Sequence, residues 1–168
     1  MTRLYALLVI LVVIYVGMNV GSMVIGDSSE DNVTENVTEN IVSVGASSFP
    51  ALDNFTDAYI NDTTVSLSGK GGIKIYVSEI DNSESIKDIY NNFIASTDHT
   101  GTENIDQNGV DTYFVYNTGS ESYDANVFFN KNGQNYLISG DEIPLSNSDY
   151  FINHCKEIID TIDITSTN

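Results

Sequence analysis

The sequence predicts the α+β class: an antiparallel sheet made of a meander plus a hairpin, helices packed on its faces, and one N-terminal transmembrane helix ahead of them. Three observations predict it. Two segments place apolar residues at the helical period, and around them lie short alternating apolar runs separated by Gly- and Asn-rich turns. Asn-Gly, the strongest short hairpin signal, occurs twice among those runs, at 108–109 and 132–133. Finally, Leu4 to Ile25 reads "LYALLVILVVIYVGMNVGSMVI" without a single charge.

That first segment, taken as a helix, spans about 33 Å, against a hydrocarbon core of about 30 Å. Arg3 precedes it, and Asp27, Glu30 and Asp31 follow, so the positive-inside tendency places the rest of the chain outside the cytoplasm. A cleaved signal peptide is the competing reading, with Val20 and Ser22 as small residues before a cut. A retained anchor is favoured because the apolar run continues past that site and shows no A-x-A pattern. No cysteine follows, which argues against a lipid-anchored lipoprotein.

Residues 26–40 are polar spacer, and "DNVTENVTEN" holds two tandem glycosylation sequons at Asn32 and Asn36. Asn54-Phe55-Thr56 and Asn61-Asp62-Thr63 add two more, all on the expected outer side. The domain proper is expected over 41–164. "IVSVGASSF" has strand character, and "FPALDNFTDAY" reads as a loop. Val65 and Leu67, then Ile73, Ile75 and Val77, alternate on the two arms of a hairpin whose turn holds Gly69, Gly71 and Gly72. Lys70 in that turn superficially suggests a phosphate loop, but the Walker spacing is absent and a strand follows instead of a helix. After the start signal Asp81-Asn82-Ser83, Ile86, Ile89, Tyr90, Phe93 and Ile94 form one apolar helical stripe. The meander follows: "TENID", "VDTYFVY", "YDANVFF" and "NYLIS", turning at the two Asn-Gly pairs and at 117–122. Pro144 stops it. Ser146 with Asp149 forms a capping-box signal for a last helix with the apolar face Phe151, Cys155, Ile158, Ile159 and Ile162.

Composition narrows function. The 168 residues suit one domain beyond the targeting segment, and the net charge is −18. Arg3 is the only charge before Asp27, so the remainder sets 24 acids against five lysines, which excludes nucleic acid and anionic lipid as partners that need a basic footprint. Solubility at a crowded surface is the simplest account of that charge. With Cys155 as the single cysteine, neither an intrachain disulfide nor a cysteine-based zinc site is available.

Particular residues carry a resemblance. Gly109 with Tyr113, the aromatic strand Val127 to Phe129, Gly133, Tyr136 to Ser139, and the closing Ile158 to Ile162 resemble the C-terminal half of the Mog1/PsbP/DcrB-like domains. The resemblance covers roughly 63–163 and extends to small, acidic, Asn-rich anchored surface proteins of methanogenic archaea. It implies an antiparallel sheet sandwiched by helices and an accessory or binding role, with no catalytic motif to carry over.

Little chemistry is readable. His99 sits in a polar loop, and His154 adjoins Cys155 on the last helix, where neighbours point about 100° apart and make a poor dyad. Cys155 lies on the apolar stripe and reads as a buried small hydrophobe. Asp106, Asn108 and Asp111, or Asp141 with Glu142, offer oxygens to Ca²⁺ but lack the spacing of a calcium loop. No catalytic residue, cofactor or metal is assigned. Seven aromatics crowd the meander, and alternation sends about half of them to a core. Tyr113, Tyr116, Tyr123 and Phe128 are the candidates for a binding surface. The expectation is therefore a membrane-tethered extracytoplasmic binding or accessory module, meeting the membrane through its N-terminal helix and some surface or protein partner. The alternative is a carboxylate-based hydrolase of surface polymers, which needs a concave pocket with two converging acids of raised pKa.

Overall fold

Alternation and turn chemistry build most of the molecule. The computed structural model describes residues 40–165, so the apolar segment 4–25, the spacer, and the sequons at Asn32 and Asn36 lie outside the described residues. Ten strands and two α-helices follow one another: β1 (Ile41–Val44), β2 (Ser47–Pro50), β3 (Thr56–Asn61), β4 (Thr64–Ser68), β5 (Lys74–Ile80), α1 (Ile86–Ser96), β6 (Gly101–Gln107), β7 (Val110–Thr118), β8 (Ser122–Lys131), β9 (Gln134–Pro144), α2 (Ser148–Thr161) and β10 (Asp163–Ile164). Seven strands form one antiparallel sheet in the order β3-β4-β5-β9-β8-β7-β6, and β1-β2-β10 form a small second sheet. The α+β class is as read from the sequence, with both Asn-Gly pairs in left-handed conformation at two-residue hairpin turns: Asn108 and Gly109 at φ 52° and 85°, Asn132 and Gly133 at 52° and 83°.

The sheet's two faces are covered unequally. On one face α2 and the small sheet bury a continuous core that includes Phe49, Leu67, Ile75, Phe129, Tyr136, Ile138, Phe151 and Ile158. On the other, α1 lays Ile86, Ile89, Tyr90, Phe93 and Ile94 over Tyr113, Val115, Phe128 and Leu137 of β7, β8 and β9, with Ile80 at the end of β5 beside them. The hydroxyls of Ser47 and Tyr136, 2.7 Å apart, fasten the small sheet to the large one where both side chains are buried.

Three local expectations need correction. "IVSVGASSF" is a hairpin rather than one strand: Gly45 turns with φ 59°, and Glu79 Oε2 on β5 accepts the Ala46 amide at 2.7 Å, closing the turn from a distant strand. The segment read as a loop through Tyr59 contains β3, an edge strand whose side chains are nearly all exposed. The Ser146–Asp149 capping box does not form, because Ser146 falls in a 3₁₀ turn (Leu145–Asn147) that leads into α2 without a side-chain cap. The apolar stripe of α2 is nonetheless fully buried.

Candidate functional site

Period two sends Glu103, Ile105 and Gln107 of β6 to one face of the sheet, beside Thr112 and Phe114 of β7. Ile152, Cys155, Lys156 and Ile159, at helical spacing, turn one side of α2 toward them. Together with Val127 they line a cleft of about 220 Å³. Its floor is apolar, while Glu103, Gln107 and Lys156 supply polar groups. Small-molecule sites usually enclose about 300–1,000 Å³. The cleft is therefore of the size that takes one inserted side chain rather than a cofactor. It runs beside β6, the last strand of the sheet, whose outer backbone groups have no strand partner among the described residues.

The end of this cleft is braced by the two Asn-Gly turns. Gln107 Nε2 and Asn108 Nδ2 donate to the Asp160 carboxylate at 2.9–3.0 Å, Asn132 Nδ2 donates to Asp163 at 2.7 Å, and Lys131 Nζ donates to the carbonyls of Ile159 and Asp160 at 2.9 and 2.7 Å. Those carbonyls belong to the last turn of α2, where backbone acceptors lack helical partners and a cation is favoured. The hairpins thereby fix where α2 ends and how far it stands from β6.

A second, more open cleft of about 360 Å³ lies between residues 82–86, Asn130, Gly133 and Asn135. The side chain of Asn135 is bonded out: its Nδ2 donates to the carbonyls of Asp81 (3.1 Å) and Glu84 (3.0 Å), and its Oδ1 accepts from Asn130 (2.7 Å). Its backbone amide goes to Asn82 Oδ1 at 2.7 Å. With those groups satisfied within the chain, this cleft is a clamp that starts α1.

The four aromatic candidates separate. Tyr113, Tyr123 and Phe128 are 8%, 6% and 2% exposed, so they serve as core and do not line an open surface. Tyr113 stacks on Tyr90 at 4.9 Å, Phe128 meets Phe93 at 5.1 Å, and Tyr123 meets Phe151 edge-on. Burial pushes the Tyr123 hydroxyl's pKa up, with smaller contributions from Cys155 and Asp149. Tyr116 is half-buried, and its ring lies over Gly101, where a Cβ would collide with it. Asn54 and Asn61 are exposed, at the two ends of β3.

The catalytic elements considered do not converge. Cys155 is buried, and burial raises its thiol pKa, opposite to what a nucleophile requires. His154 points away from it, into a stack with Tyr150 (4.3 Å) and Phe55 (4.9 Å). His99 is exposed, with its Nδ1 3.1 Å from the Thr97 carbonyl. Asp141 has a raised pKa, caused first by desolvation and then by the charges of Asp124 and Glu142. Its solvent-accessible surface is nevertheless open, so crowding by neighbours rather than enclosure in a cleft produces that desolvation, and Asp141 and Asp124 line neither cleft. Among the described residues, no three His, Cys, Asp or Glu side chains stand close enough to hold a metal ion.

No family model and no curated protein matches the chain. Among solved structures, it is similar to the solution structure of cyanobacterial PsbP (CyanoP) from Synechocystis sp. PCC 6803, with a TM-score of 0.47 and 11% identity over 80% of this chain and 98% of that one. Among the described residues no helix is long and apolar enough to cross a membrane.

Proposed function

We propose that the chain is a binding or accessory module displayed on the outer face of a membrane, held there by segment 4–25, and that it takes its partner in the cleft between β6 and α2. The observation that carries this reading is the coincidence of an apolar notch with a strand edge that has no partner among the described residues. An extended partner segment can add to β6 by backbone hydrogen bonds while one of its apolar side chains enters the notch over Ile105 and Phe114. The chain's charge of −18 favours a partner with cationic flanks. The raised pKa of Asp141 favours the hydrolase alternative, but Asp141 lines neither of the two clefts described above.

Protease treatment of intact cells tests the display, since a C-terminal tag on the full chain should be removed from outside. Cross-linking in those cells, read by mass spectrometry, tests the cleft. Adducts should map to Glu103–Gln107 and the facing side of α2, and Ile105→Asp should abolish them. A protected tag removes the outer-face reading, and adducts that survive Ile105→Asp remove the cleft.

A further inference from the structure

The large sheet has two terminal strands, β3 and β6, and only one is bracketed by sequons. Residues 40–165 contain fifteen asparagines, of which Asn54 and Asn61 alone begin Asn-x-Thr. Asn54 lies two residues before β3 and Asn61 is its last residue. Both are exposed, and both sit where the backbone departs from the ladder: Asn54 has φ 65°, and the β3–β4 register shifts between Tyr59 and Asn61. Within the second sequon, Asn61 Oδ1 accepts the Thr63 amide at 2.9 Å and the Thr63 hydroxyl at 3.1 Å. The Thr63 backbone N–H can only donate and so fixes which amide atom is oxygen, and the nitrogen that carries a glycan takes part in neither bond. In the first sequon, Phe55 turns inward over Gly69 and onto Tyr150, which leaves its neighbour Asn54 at the surface.

An exposed edge strand is a template for unwanted pairing, and proteins blunt such edges with charge, bulges or a cover. β3 carries one acid, Asp57, and one bulge, while Tyr59 is 68% exposed on it. We infer that Asn54 and Asn61 are modified with N-linked glycans that close the β3 edge, leaving β6 as the edge open to a partner. The inference rests on the outer-face reading, because glycan transfer needs a lipid-linked oligosaccharide phosphate or diphosphate outside the cytoplasm. In that transfer the Asn Nδ2–C1 bond forms as the C1–O bond to the lipid phosphate breaks, and the amide proton leaves with the phosphate.

The test takes the full chain from membranes of its native cells, reads intact glycopeptides by mass spectrometry, and runs the external-protease assay on the same cells. The expected result is an external chain with sugar mass on the peptides bearing Asn54 and Asn61, each increment lost in Thr56→Val or Thr63→Val respectively. An external chain bare at both sites overturns the glycans and leaves the outer-face reading standing. A chain protected from protease overturns both. Sedimentation separates modification from edge closure: the doubly substituted Thr56→Val/Thr63→Val chain should self-associate at concentrations where the glycosylated chain does not. Glycosylated and doubly substituted chains that sediment alike overturn edge closure.

Discussion

The two faces of the seven-stranded sheet are built on different plans. Among the described residues, twenty-two buried side chains form the cluster on the α2 face and four form the one on the α1 face. The first cluster draws on both sheets and α2, so its contacts join residues from β1 to the end of α2. The second is local, one short helix over β7, β8 and β9 with Ile80 at the end of β5, while Ser66, Ser68, Tyr76 and Ser78 occupy the rest of that face on β4 and β5. The helices are also secured at opposite ends. α1 is capped at its start by Ser85, which accepts the Asp88 amide, whereas α2 lacks a side-chain cap at its start and is held at its end by Lys131. The α2 face is thus the structural base and α1 a local cover.

Adjacent residues on β9 give the sharpest measure of this asymmetry. Ile138 is fully buried on the α2 face, and Leu137 is half-buried beneath α1. Ile138→Ala should cost about 3–4 kcal/mol, a transfer loss plus an unrelieved cavity. Leu137→Ala should cost about 1–1.5 kcal/mol, because less apolar surface is at stake and α1 can settle. Urea unfolding with an unchanged m-value reads both. Equal costs would break the comparison by giving the α1 face the same weight.

What the sequence revealed follows how local each signal was. The β6–β7 and β8–β9 turns were legible because Asn-Gly fixes a left-handed turn within two residues. The β1–β2 hairpin was not, since its closing group is Glu79, more than thirty residues away. β3 escaped notice because an edge strand with little burial has no apolar alternation to display. Alternation implied that the meander aromatics divide between two faces but did not say which element covers each, so the surface candidates were drawn from both: Tyr113 and Phe128 lie beneath α1, while Tyr116 and Tyr123 belong to the α2 side. The cleft had only fragments of a signal: the α2 stripe through Cys155 and Ile159, and Ile105 as one apolar residue in a polar strand. Its assembly depends on where Lys131 and Asp160 stop α2, a non-local contact.

That anchoring predicts the next effect. Lys131→Met keeps the aliphatic stem and removes two charge-assisted bonds to the end of α2, at an expected cost of about 1 kcal/mol. Amide exchange should speed up at Ile158–Thr161 and stay unchanged in α1. Acceleration in both helices would mean that the two faces unfold as one unit, against the division drawn above.

The smallest effect tests the packing on the outer side of α2. His154 is half-buried between Phe55 and Tyr150, and its Nδ1 has no hydrogen-bond partner among the described residues. Desolvation lowers its pKa from 6.5, while the charges of Glu157 and Asp53 pull it back upward. The unfolded chain then binds more protons than the folded one between the lowered value and 6.5, so stability rises with pH through that window and is lost as pH falls below about 6.5. Asp141 acts with the opposite sign: its raised pKa makes stability fall as pH rises from 3.8 through the folded value. Thermal midpoints at pH 7.5 and 5.5 should therefore differ more in the native chain than in His154→Phe, which keeps the aromatic stack and removes the proton site. Identical differences in the two chains would show that the imidazole titrates freely and that the Phe55–Tyr150 stack opens to water without cost, leaving α2 held by its inner face and its C-terminal anchor alone.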